Sequence, residues 1–74
     1  MTTKQARQKV ADEGGFDAVK VWETYHLMAA YGWSEGRVKQ MMTKGLPMFY
    51  DGRQRRFDPS VVDHWLRNNF FVSV

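Results

Sequence analysis

Between Gly14 and Pro59 the chain is punctuated so closely that no element can run more than a few turns: Gly14-Gly15, Gly32, Gly45, Asp51-Gly52 and Asp58-Pro59 each carry a breaker or turn signal. Such spacing leaves a handful of short elements to share one core. The chain has 74 residues, so that core is thin. It contains no cysteine, which removes disulfides and thiolate metal sites. In their place stand three Trp, three Tyr and five Phe, each able to bury roughly 150–250 Å².

Residues 1–15 are polar, with Val10 and Ala11 as a weak apolar face, and read as a frayed helix or a mobile arm ending at Gly14-Gly15. Residues 16–22 place Phe16, Val19, Val21 and Trp22 ahead of the first clear helix as a lead-in segment. Tyr25, Leu27, Met28 and Tyr31 recur at three- and four-residue steps, which predicts a helix from about Glu23 to Tyr31 with Gly32 as its stop. Ser34 caps a second helix to about Thr43, with Val38, Met41 and Met42 inward and Gly45 closing it. Trp33 is the apolar plug of the intervening turn, and the pair reads as a helix-turn-helix.

Past Gly45 the period changes. Leu46 to Tyr50 reads as a strand, Asp51-Gly52 as a hairpin turn and Arg53 to Phe57 as the return strand. A three-residue bulged loop fits almost as well and would change which arginines share a face. Asp58 then caps a last helix with Pro59 at its first position and Val61, Val62, Trp65 and Leu66 as its apolar stripe. The tail Phe70-Phe71-Val72 is apolar, either folding back on the core or forming a contact surface.

Charge is distributed unevenly along this order. Residues 1–36 carry four basic and five acidic side chains, net −1, and residues 37–74 carry seven against three, net +4. Within 37–57 six basic residues face Asp51 alone, net +5. A field of that kind attracts polyanions, nucleic acid above all. On the second helix the residues the core does not need are Ser34, Glu35, Gly36, Arg37, Lys39, Gln40, Thr43 and Lys44. Arg and Lys pair with guanine, Gln with adenine, and Thr or Lys with phosphate. The hairpin adds Tyr50, Arg53, Gln54, Arg55 and Arg56, an arginine-rich ribbon suited to backbone or a narrow minor groove. The fold class expected is small and mainly α with a β-hairpin: a winged helix-turn-helix over 21–69, after a polar N-terminal extension and lead-in segment (1–20) and before an apolar tail (70–74).

The run Tyr31-Gly32-Trp33-Ser34, then Val38, Gly45-Leu46-Pro47, Arg55-Arg56-Phe57-Asp58, Val62 and Trp65-Leu66 resembles the excisionase-like branch of the MerR-type winged-helix domains, which includes phage excisionases and the DNA-binding domains of terminase small subunits. The resemblance covers residues 21–67. It implies that residues 34–44 enter the major groove and that Arg53 to Arg56 contact minor groove or backbone. It also implies an architectural or regulatory role in DNA recombination or transcription, with double-stranded DNA as partner, an integrase beside it and cooperative self-association on DNA. Glu35-Gly36 departs from the polar or basic residues usual there, and both the N-terminal extension and the apolar tail lie outside the match.

Other classes have less behind them. His26 and His64 lack companion Cys or clustered carboxylates, so both read as surface or half-buried histidines and no metal or cofactor is expected. Two His, two Ser and no Cys make an enzyme a poor expectation. No apolar run reaches the ~18 residues of a span, and no signal peptide opens the chain; the expected location is the cytoplasm, on the nucleoid of a bacterial or phage-infected cell. The alternative reading is a protein-interaction module, such as a phage adaptor or inhibitor, using the same scaffold and the apolar tail.

Overall fold

A computed structural model describes residues 1–70. Four helices and a two-stranded antiparallel hairpin follow in the order α1 (Thr3–Asp12), α2 (Thr24–Tyr31), α3 (Glu35–Thr43), β1 (Phe49–Asp51), β2 (Gln54–Arg56) and α4 (Pro59–Asn69), with a single 3₁₀ turn at Phe16–Ala18. None of these helices is long and apolar enough to cross a membrane.

The N-terminal segment is a regular helix rather than a frayed one or an arm. Thr2 Oγ1 accepts the Gln5 N–H (3.1 Å) while Gln5 Oε1 accepts the Thr2 N–H (2.8 Å), so two of the helix's orphan donors are satisfied reciprocally. Its inward face is small, Ala6 (0% exposed) and Val10 (3%), and it packs on α2. Arg7 Nε donates to the Ala29 carbonyl at 3.3 Å, and Tyr25 Oη donates to Glu13 at 2.6 Å. The lead-in segment is then stitched to the end of the hairpin. Trp22 N–H donates to Phe57 O and Phe57 N–H to Trp22 O, both at 2.7 Å.

α2 is the central helix, with His26, Leu27, Met28 and Ala29 all buried. Gly32 ends it in the left-handed conformation (φ 71°), where a side chain would be strained. Trp33 is half-buried, its ring stacked on Tyr31 with centroids 4.9 Å apart. α3 starts at Ser34, whose Oγ accepts the Arg37 N–H at 3.1 Å, and turns Val38 and Met41 inward. Asp58 Oδ1 accepts from the Ser60 and Val61 amides at the start of α4, and Pro59 stands in the first turn. Hydrogen bonds donated by the Ser60 hydroxyl and amide hold the Asp58 carboxyl below its ordinary range. The buried face of α4 is Val62 and Leu66 with Trp65 half-buried. Val61, expected in the apolar stripe, is 47% exposed, because it lies one position off the 62/66 face. Phe57 (0% exposed), Leu46 and residues of all four helices meet in one core.

The hairpin differs from the expected one. Leu46 is buried and β1 begins only at Phe49, so the strand is shorter than 46–50. The register pairs Phe49 with Arg56, Tyr50 with Arg55 and Asp51 with Gln54. Asp51 therefore belongs to the strand, and the two central turn residues are Gly52 and Arg53. Gly52 has φ 65°, and no other residue type among those described has a positive φ. A positive φ at the first central position alone is the pattern of a type II′ turn, in place of the type I′ turn that Asp51-Gly52 would have formed.

His26 is buried, at 2% exposure, and not the surface or half-buried histidine expected from the sequence. Its Nδ1 accepts the Glu23 N–H at 2.9 Å, so the neutral ring carries its proton on Nε2. Nε2 has no hydrogen-bond partner among the described residues and lies 4.0 Å from Glu13 Oε1. Burial holds the imidazole below its ordinary pKa, against the pull of Glu13 and Glu23 and with Lys9 and Arg56 opposing protonation further. The unfolded chain therefore binds the proton more readily. Stability supplied by the neutral ring is complete above about pH 6.5 and declines as the pH falls from there through the folded-state pKa. Thermal unfolding of the wild type is expected to drop between pH 7.5 and 5 more steeply than that of His26→Gln. Parallel curves would contradict this assignment.

Candidate nucleic-acid interface

α3 needs only Val38, Met41 and part of Met42 for the core, which leaves the rest of its surface outside. Ser34, Glu35, Gly36, Arg37, Lys39, Gln40, Thr43 and Lys44 are all exposed. Several of these are locally organised: Arg37 Nη1 donates to Gln40 Oε1 at 2.8 Å, and the Thr43 hydroxyl donates to the Gln40 carbonyl at 2.6 Å. Lys44 Nζ sits over the Phe70 ring, 5.4 Å from its centroid. Glu35 Oε1 lies 3.2 Å from the Met1 amino group, so the carboxylate of the first turn has a cation beside it.

The observed register sorts the hairpin side chains. Residues directly opposite each other share a face and neighbours along a strand alternate, so Arg55 lies with Tyr50, and Arg56 with Phe49 and Gln54. Arg53 stands at the turn. Arg55 Nη1 reaches Met42 Sδ of α3 at 3.1 Å, a weak acceptor. Arg56 is held more firmly: Nη1 donates to Glu23 Oε1 at 2.8 Å and Nη2 to Gln54 Oε1. It is half-buried, whereas Tyr50, Arg53, Gln54 and Arg55 are exposed.

Between the start of α2, α3 and the hairpin runs an open groove of about 530 Å³. Lys39, Arg53, Arg55 and Arg56 line it together with Glu23 and Glu35, over Met28 and Met42. Of the exposed α3 residues, Glu35 and Lys39 line this groove with the hairpin arginines, whereas Arg37, Gln40, Thr43 and Lys44 lie outside it. Glu23 belongs to this surface and was not expected from the sequence. Its relevance depends on a partner 33 positions away in the chain, which no local pattern announces. Tyr50 is the most exposed of the large hydrophobics here, at 65%.

Burial and the neighbouring Glu13 carboxylate raise the Tyr25 phenol above its ordinary pKa, and its hydroxyl proton is committed to Glu13 at the groove's edge. The Phe71-Val72 part of the apolar tail lies outside the described residues. No family model matches the chain, and none of the curated proteins or solved structures compared with it matches.

Proposed function

We propose that the chain binds double-stranded DNA as a winged helix-turn-helix of the excisionase or small transcriptional-regulator kind. In this reading α3 lies in the major groove, which at about 12 Å admits one helix, and the hairpin is the wing against minor groove or backbone. One observation carries it: Lys39 of α3 and Arg53 and Arg55 of the hairpin line a single open groove while the remaining polar side chains of α3 point to solvent. Two cationic elements set side by side suit a polyanion with parallel phosphate rows better than they suit scattered solvation.

Within this reading Gln40 reaches a base edge, and Arg37, Lys39, Lys44, Arg53 and Arg55 meet phosphates. Selection from a random duplex pool, followed by mobility shift, is expected to enrich a common motif bound well below micromolar. A different observation favours a second reading. Met48, Phe49 and Tyr50 are three consecutive large hydrophobics with 41–65% exposure, which suits a protein-binding edge. No enrichment, with only micromolar binding to any duplex, would favour that adaptor role.

A further inference from the structure

The hairpin's three arginines are not equivalent, and the difference assigns one of them a role other than touching nucleic acid. Arg56 is half-buried and holds both ends of its guanidinium on partners within the chain, Glu23 at 2.8 Å and the exposed Gln54. Arg53 has no side-chain partner among the described residues, and Arg55 has only the Met42 sulfur at 3.1 Å. Glu23 is itself fixed in place. It is the N-cap residue of α2, and its backbone N–H donates to the buried His26 ring at 2.9 Å. Beside it, Trp22 and Phe57 exchange two backbone hydrogen bonds of 2.7 Å.

We propose that Arg56 is a positioning residue: the Glu23–Arg56 ion pair and the Trp22–Phe57 bridge clamp the base of the hairpin to the start of the central helix. This sets the angle at which Arg53 and Arg55 stand across the groove from α3, and it rests on the DNA-binding reading above. A hairpin of three residues per strand has little stability of its own. Its orientation therefore has to come from its base. At a planar, two-ended site of this kind arginine is not replaceable by lysine, which offers a point charge in place of a fork.

The sign of one substitution separates positioning from direct contact. If Arg56 met phosphate, Glu23→Ala would remove a competing carboxylate and tighten binding, and Arg56→Gln would lower the salt slope of log K by about 0.9. Under the clamp, Glu23→Ala weakens duplex binding about ten-fold, Arg56→Gln does the same with the slope unchanged, and the double variant is no weaker than either single one. Amide exchange at Trp22 and Phe57, measured without DNA, rises about ten-fold in both single variants. Tighter or unchanged binding in Glu23→Ala, or a slope lowered in Arg56→Gln, would overturn the proposal. If the wild type binds no duplex while the exchange still rises, the clamp stands and the DNA-binding reading fails.

Discussion

Alanine at Phe57 is expected to lower stability by about 3–5 kcal/mol, enough to move the thermal midpoint of a chain this short down by on the order of 20 °C. Phe57 is 0% exposed and is the largest fully buried side chain. It also sits where three parts of the molecule join, since its backbone pairs with Trp22, β2 ends beside it, and Asp58 caps α4 immediately after. Truncation leaves a cavity in a core with few other residues to collapse into it. Phe57→Leu, which keeps most of the volume, is expected to cost less than about 1.5 kcal/mol. Chemical denaturation of both variants checks the pair. A loss within about 1 kcal/mol for the alanine variant would show that the hairpin base is not part of the cooperative core.

The second large effect is on binding. Arg53→Ala with Arg55→Ala removes two exposed cations with no ion-pair partner among the described residues, so stability should change by no more than about 0.5 kcal/mol. Loss of two charge-assisted contacts at about 1.5 kcal/mol each is about ten-fold apiece in affinity. The double variant should therefore bind duplex DNA about 100-fold more weakly, with the salt slope flattened by about two. Titration by fluorescence anisotropy at several salt concentrations reads both quantities. An unchanged slope would remove the hairpin from the interface and leave α3 to act alone.

Much of this surface is legible in the sequence because it depends on local chemistry. Ser34 and Asp58 announce the starts of α3 and α4 by their capping oxygens, and Gly32 announces the end of α2 by its left-handed φ. The 35–44 face follows from helical period once Val38 and Met41 are placed inward. What was not legible depends on distant partners or on a close competition between local choices. The hairpin register moved by one residue because Gly52 alone can take the positive φ of a turn whose second central residue is Arg53. α1 hid behind its polar composition, since its buried face is only Ala6 and Val10. The Thr2/Gln5 capping box was the signal that would have found it. His26 carries no local mark of burial, which arises because α2 is surrounded. The Glu23–Arg56 pair exists only once the hairpin has docked.

The measurement that bears most directly on the account is the salt dependence of duplex binding by the intact chain. Five exposed cations are assigned to the interface, Arg37 and Lys39 on α3 and Lys44 at its end, with Arg53 and Arg55 on the hairpin. At about 0.9 per phosphate neutralised, log K against log[salt] should fall with a slope of roughly −4 to −5. A slope near zero, or no binding to any duplex at low salt, would contradict it.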